Sequence, residues 1–182
     1  LLKESSLYNY KRKSNYTIKN IGVSLPNTWL SNDNIDLLDD ICNLVNNLAK
    51  DSNVHLIPFD TSNIIDNSDI SLLNKIKEKL NNSENKERLF YIIPPKNEDT
   101  LTYDPITTPD MIEYYKNLDL VIGGRFHSII LSIITQTPFI SLYSSPKIEK
   151  LKDDILLDLS PDFQNLFIKL DTDKKDFPLK ID

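Results

Sequence analysis

The sequence predicts an α/β protein with a Rossmann-like, doubly wound sheet that is largely parallel and carries helices on both faces. Five short apolar runs alternate along the chain with segments whose apolar residues recur every three or four positions. This alternation is typical of parallel strands, because strands that run the same way need a long, usually helical, connection. The runs cover residues 18–25, 54–59, 89–93, 119–122 and 139–143.

The composition is that of a globular protein, since 40% of the 182 residues are hydrophobic and 26% are charged. A net charge of -6 argues against nucleic acid as the main partner, which would need a basic face. The single cysteine, Cys42, excludes an intrachain disulfide and a cysteine metal cluster. No apolar run approaches the ~20 residues of a membrane span, and no signal-peptide pattern opens the chain. We therefore expect a cytoplasmic protein without a metal site.

The first third of the chain predicts a linker, a strand and a helix. Residues 1–17 are polar and lack helical periodicity, so we interpret them as a linker or interdomain segment. The strand at 18–25 ends at Pro26, and the helix at 31–50 repeats apolar residues three or four apart.

The middle of the chain continues the alternation. His55 lies inside the second strand, which predicts a structural role, because ligands of open α/β sheets lie outside the carboxyl ends of the strands. A helix at 70–80 follows, and the third strand, 89–93, ends at two prolines. Next, Thr108 as the N-cap and Pro109 in the first turn predict a helix over 111–117.

The stretch at 117–150 contains the candidate site. A continuous apolar run ends at Gly123 and Gly124, and Arg125 to Ser128 begin a helix that is apolar nearly all round and therefore predicted to be buried. Pro138 ends that helix before the fifth strand. A further helix is predicted from Ser145 to about residue 155. We place the Rossmann-like domain at 18–160 and leave the tail, 161–182, without an assigned structure.

Arg125 and His127 fall in the turn between a strand and a helix, at the sheet edge where open α/β sheets bind ligands. Helix N-termini offer free N–H groups and a partial positive charge to anions. An arginine fork suits a carboxylate or phosphate, and an imidazole exchanges protons near neutral pH. The alternative is an ordinary surface arginine and a hydrogen-bonded core histidine. Because the chain has only three glycines, neither the G-x-G-x-x-G motif nor the P-loop can be present.

Residues 121–127, VIGGRFH, resemble the signature of the polysaccharide pyruvyl transferase family, in which an aliphatic strand and a glycine precede Arg-Leu-His at the start of a buried helix. Members of that family then have a proline-capped strand ending near a tyrosine, followed by a lysine. This chain has Pro138, Tyr143 and Lys147 in those places. The resemblance is specific over about thirty residues.

The chain departs from the family pattern at four places. Phe126 stands where leucine is usual, Gly124 where a larger residue is common, and residues 144–146 where an Asp-Pro pair often occurs. Some members carry a basic residue just after the first strand, where this chain has Pro26. Neither Arg125 nor the histidine is lost.

The resemblance implies transfer of an enolpyruvyl group from phosphoenolpyruvate to two hydroxyls of a sugar, closing a pyruvate ketal. It implies no cofactor besides this donor substrate. Arg125 and His127 would be catalytic, with Arg125 gripping the donor and His127 acting as general acid or base. The substrate-binding residues would be Gly123, Gly124, Arg125, Phe126, Ser128 and Lys147.

The family has a two-domain glycosyltransferase-B architecture with the site between the domains. The resemblance therefore implies an upstream second domain, and little or no activity for residues 1–182 alone. Two alternatives stay open on the same fold. One is a glycosyltransferase that uses a nucleotide sugar, and the other is a non-catalytic domain that binds sugars or a partner.

Overall fold

Six short strands form one sheet in the computed structural model, which describes residues 17–30, 35–61, 68–94, 107–143, 145–156 and 167–169. The strands are β1 (Asn20–Ser24), β2 (Asn53–Leu56), β3 (Leu89–Tyr91), β4 (Leu120–Gly123), β5 (Phe139–Tyr143) and β6 (Phe167–Lys169). Their order across the sheet is β3-β2-β1-β4-β5-β6, and every neighbouring pair is parallel. Strands are added outwards from β1 in one direction (β2, β3) and from β4 in the other (β5, β6), so the order of winding switches between β1 and β4 while all strands stay parallel.

In the described part of the chain, five α-helices connect the strands. They are α1 (Ile35–Leu48), α2 (Asp69–Leu80), α3 (Thr108–Lys116), α4 (Phe126–Thr135) and α5 (Pro146–Leu156). A large apolar cluster joins α1 and α2 to one face of the sheet, whereas α3 and α4 share a second cluster with the other face. A third cluster joins Ile148 of α5 to Tyr143 and Phe167. The predicted doubly wound α/β fold, with helices on both faces, is confirmed.

The side chains of β1 explain why its neighbours can pack closely. Ile21 and Val23 belong to the cluster under α1 and α2, so Gly22 and Ser24 face the other way. A Cβ atom on Gly22 would lie 2.7 Å from Leu118 Cδ1, which fills the space beside it. The glycine thus lets the segment before β4 lie close to the centre of the sheet.

Two local predictions were wrong in detail. The N-cap of α3 is Thr107, not Thr108, because a capping hydroxyl reaches an N–H about three residues ahead, and Thr107 Oγ1 accepts from Asp110 N at 3.3 Å. The helix α4 is not buried all round, since its inner side holds Ser128 and Ser132 whereas Ile134 is 58% exposed. The small serines allow the helix to lie close to the sheet.

The strand β6 lies in the tail to which the sequence assigned no structure. Its three residues pair with β5, where Ser141 is the partner of Phe167. A strand of this length is too short to show periodicity. The domain boundaries at 17 and 160 stay predictions, because residues 1–16 and 157–166 lie outside the described part of the chain.

Candidate functional site

The turns that follow β1, β2 and β4 meet at one edge of the sheet, since neighbouring parallel strands end on the same side. Each of these turns contributes to the site. The turn after β1 contains Pro26 and Trp29, the turn after β2 contains Phe59, and the turn after β4 leads directly into α4.

Gly123 and Gly124 lie against neighbouring residues inside this edge. The N–H of Gly124 donates to Ser24 O at 2.7 Å, which extends the pairing of β4 with β1. A Cβ atom on Gly124 would lie 2.5 Å from Trp29 Cη2 and 2.8 Å from Pro26 Cδ. A Cβ atom on Gly123 would lie 2.8 Å from the side chain of Ile129. Both glycines therefore have a packing role, and their predicted contact with substrate stays a prediction.

Arg125 is the N-cap residue of α4, but its side chain does not cap the helix. Its guanidinium reaches Asp69, the first residue of α2, with Nε at 3.2 and 3.0 Å from the two carboxylate oxygens. Nη2 also donates to Asp69 Oδ1. The edge of the guanidinium that was expected to grip a donor molecule is thus occupied by a carboxylate of the same chain. A ligand role for Arg125 stays a prediction.

Asp69 is fully buried and connects three parts of the site. Besides Arg125, its carboxylate accepts from the N–H groups of Asn27 at 3.2 Å, Phe59 at 3.0 Å and Asp60 at 3.0 Å. A buried carboxylate requires such a set of donors, because unpaired burial of a charge costs several kcal/mol. The turns after β1 and β2 are therefore tied to the start of α4 through one side chain.

His127 is exposed in the first turn of α4. Its ring stacks on Phe59, with centroids 6.0 Å apart and planes at 25°, and meets the edge of the Phe126 ring at 5.8 Å. The alternative of an enclosed core histidine does not hold at this position, because the side chain is exposed. The imidazole is held by aromatic contact at the carboxyl edge and remains open to solvent.

The first turn of α4 also presents backbone donors beside His127. The first N–H groups of a helix have no partner within it, and the partial charge of the helix is positive there. Ser128, predicted to bind substrate, has a fully buried side chain whose Oγ lies 2.9 Å from Tyr115 Oη. Its hydroxyl is thus engaged in the core between α3 and α4, and its predicted contact with substrate stays a prediction.

Lys147 is exposed in the first turn of α5, which follows β5 at the same edge of the sheet. Its backbone N–H donates to Ser145 Oγ at 3.3 Å. The helix α5 follows β5, the strand next to β4, so Lys147 and His127 both come after neighbouring strands. Its predicted role toward substrate stays a prediction.

A family model described as polysaccharide pyruvyl transferase matches residues 8–146, which is most of the chain and includes the strand and turn around Arg125 and His127. The chain belongs to the polysaccharide pyruvyl transferase family. Comparison with curated proteins found no significant match, and neither did comparison with solved structures. The resemblance drawn from residues 121–127 is confirmed.

Two residues of the candidate site were missed by the sequence analysis. Asp69 and Phe59 lie 56 and 68 positions before Arg125 and His127, and neither belongs to the motif. Asp69 follows Ser68 ahead of an amphipathic helix, which is an ordinary helix start. Nothing in that local pattern indicates that its carboxylate turns inwards.

His55 is the third of the four residues of β2, one residue before the carboxyl end of the strand. Its Nδ1 lies 2.5 Å from Tyr114 Oη, and its ring stacks on Phe90 with centroids 4.9 Å apart. Burial lowers the pKa of His55 from 6.5 and raises the pKa of Tyr114 to about 12. These contacts agree with the structural role expected for His55.

Within the described ranges, no group of three or more His, Cys, Asp or Glu side chains is placed to hold a metal ion. In the same residues, none of the helices has both the length and the apolar character that crossing a membrane requires.

Proposed function

We propose that this chain forms the donor-binding wall of a polysaccharide pyruvyl transferase, with phosphoenolpyruvate as the donor and His127 as the proton-transfer group. The observation that supports it best is the position of His127, exposed in the first turn of α4 and stacked on Phe59. This is where a helix N-terminus provides N–H donors for an anion, at the edge where parallel sheets bind ligands.

The proposed donor is an anion, whereas the chain as a whole is acidic with a net charge of -6. Binding must therefore depend on a local positive region. Asp69 neutralises the guanidinium of Arg125. The groups proposed to bind the anion are therefore the backbone N–H groups of Phe126, His127 and Ser128, together with the dipole of α4. Lys147, exposed in the first turn of α5, adds a positive charge.

In the proposed reaction, His127 gives a proton to the methylene carbon of the donor, which leaves positive charge on the carbon that bears the phosphate. One sugar hydroxyl adds to that carbon and returns a proton to the His127 imidazole. The C–O bond to phosphate then breaks, which releases phosphate and leaves positive charge on the same carbon. The second hydroxyl adds to that carbon, its proton passes to the released phosphate, and the ketal closes. General acid catalysis of this type contributes ~100 to 10,000-fold in rate.

The test is binding and turnover with matched ligands. We expect phosphoenolpyruvate to bind the chain in a calorimetric titration. We expect UDP-sugars to bind no more tightly than the same sugars without UDP. Preferential binding of UDP-sugars would identify a glycosyltransferase instead. Saccharide binding with no ketal formation, in a protein that includes the proposed upstream domain, would identify a non-catalytic domain.

The acceptor is proposed to be a saccharide that contacts the opposite wall of the site, on the second domain. Residues 1–182 alone should then bind the donor weakly and release little phosphate when a sugar is added. Rapid phosphate release by residues 1–182 with a saccharide acceptor would contradict the two-domain proposal, while leaving the donor assignment in place.

A further inference from the structure

We infer that Asp69 is the positioning residue of this site, and that it holds His127 in place through Phe59. The catalytic role of His127 rests on the proposed function, but the contacts among Asp69, Phe59 and His127 do not depend on it. Two consecutive contacts form the connection. Asp69 Oδ2 accepts from Phe59 N at 3.0 Å, and the Phe59 ring lies under the imidazole of His127 at 6.0 Å.

The carboxylate is suited to this role because each of its oxygens has a separate task. Oδ1 accepts from Asn27 N in the turn after β1, and Oδ2 accepts from Phe59 N and Asp60 N in the turn after β2. The Arg125 guanidinium donates to both oxygens from the start of α4. One buried side chain thus sets the relative positions of three turns that come from different strands.

The backbone strengthens the same connection. The N–H of Asp69 donates to Asp60 O at 2.9 Å, so Asp69 both donates to and accepts from the turn that carries Phe59. The Phe59 ring also meets Tyr115 edge-on, with centroids 6.4 Å apart, and Tyr115 is bound to Ser128 in α4. Phe59 is therefore held at its backbone by Asp69 and at its ring by residues of α3 and α4.

This arrangement assigns Arg125 a role different from that implied by the family resemblance. Its guanidinium is bound to a fully buried carboxylate, and its side chain is only 23% exposed. Fork geometry suits a carboxylate whether that carboxylate belongs to a ligand or to the chain. We assign Arg125 to the positioning of α4 against α2, and anion binding to the backbone of α4 and to His127.

The substitution Asp69→Asn tests the connection with little change in shape. An amide has one oxygen that accepts and one nitrogen that donates, so it replaces one carboxylate oxygen but not both. Either the turn after β1 or the turn after β2 then loses its partner, and Arg125 loses its counter-charge. The readout is the ring resonances of the chain's two histidines in 1H–13C NMR spectra of the 182-residue protein.

We expect Asp69→Asn to shift the His127 ring protons toward their random-coil positions while those of His55 stay in place. His55 serves as the internal reference, because its own ring is held by Tyr114 and Phe90. Asp39→Asn is the matched control, since Asp39 pairs with Lys79 on the exposed surface of the α1–α2 layer and should move neither histidine. A folded Asp69→Asn protein with unchanged His127 resonances would overturn the inference.

A second variant decides the question if Asp69→Asn does not fold. Phe59→Leu keeps the backbone bond to Asp69 and removes only the ring under His127, so it should produce the same His127 shift with His55 unchanged. Unchanged His127 resonances in Phe59→Leu would reject the connection. Addition of phosphoenolpyruvate to the unaltered protein is a separate measurement, because a failure to perturb His127 would reject the proposed function and not the positioning role of Asp69.

Discussion

Arg125 donates from Nε and Nη2 to the carboxylate of Asp69, which lies 56 positions earlier and is fully buried. The arginine of the family signature therefore forms an ion pair with a carboxylate of the same chain. This relationship changes the expected behaviour of the site, because a substitution of Arg125 now affects a buried charge as well as any ligand.

Arg125→Ala should lower the free energy of unfolding by about 3 kcal/mol, the low end of the range for removing one partner of a buried ion pair. The low end applies because Asp69 keeps three backbone donors. Urea unfolding followed by circular dichroism measures the change. Lys116→Ala breaks an exposed pair with Glu113 and should cost less than about 1 kcal/mol. Equal effects of the two substitutions would show that the Arg125 pair is not structural.

His127→Ala should leave the free energy of unfolding within about 0.5 kcal/mol of the unaltered value, because the side chain is exposed. Binding of phosphoenolpyruvate should weaken by a factor of about 10 to 100, since hydrogen bonds to charged groups contribute ~1.5 to 3 kcal/mol. Calorimetric titration measures this loss. The matched control is His55→Gln, which should leave the dissociation constant unchanged. Equal affinity in His127→Ala and the unaltered protein would reject His127 as a ligand group.

Ser128→Ala should destabilise the fold by ~1 to 3 kcal/mol, because it leaves the hydroxyl of Tyr115 buried without its partner. The double substitution Tyr115→Phe with Ser128→Ala should cost less than Ser128→Ala alone, since both polar groups are then removed. Thermal unfolding of the unaltered protein, of Ser128→Ala, of Tyr115→Phe and of the double variant measures the coupling energy between the two hydroxyls. A Ser128→Ala protein of full stability with lost donor affinity would instead support a side-chain contact with substrate.

Gly124→Ala should destabilise the protein by ~1 to 3 kcal/mol through overpacking, because its methyl group would meet the rings of Trp29 and Pro26. Gly22→Ala is the comparison, since its nearest neighbour is the end of the flexible Leu118 side chain. We expect the smaller loss there. Adding Trp29→Leu to Gly124→Ala should recover part of the stability, which denaturant midpoints can measure. No recovery would show that the ring contact is not the source of the strain.

The stability of the protein should fall as pH falls below about 6.5, partly because of His55. Burial lowers its pKa in the folded state, so the unfolded chain takes up a proton first, and stability is lost down to the folded-state pKa. Urea unfolding midpoints measured from about pH 7.5 to about pH 5.5, a range that spans the reference pKa of histidine, give the slope of stability against pH. His55→Gln should flatten it. Identical slopes in the unaltered and His55→Gln proteins would contradict this assignment.

The predicted strands were confirmed to within a few residues because their signal is local. Apolar runs bounded by turn residues, such as the one that ends at Gly123, report burial without knowledge of the partner strand. The same local signal located His127 in the first turn of α4. Parallel pairing followed from the helical spacing between runs, so the order of elements was sufficient to predict the fold class.

The sequence by itself determined the α/β alternation, the family and the turn that carries Arg125 and His127. Each of these depends on a pattern of residues that are neighbours along the chain. Only the tertiary structure decided which groups meet at that turn. The bonds from Asp69 to Phe59 and Arg125, and the stacking of Phe59 on His127, join residues from separate crossovers. Such contacts depend on how strands line up across the sheet and on which way a side chain turns when its charge is buried. Periodicity records neither, since it reports only that a residue is buried or exposed on its own element.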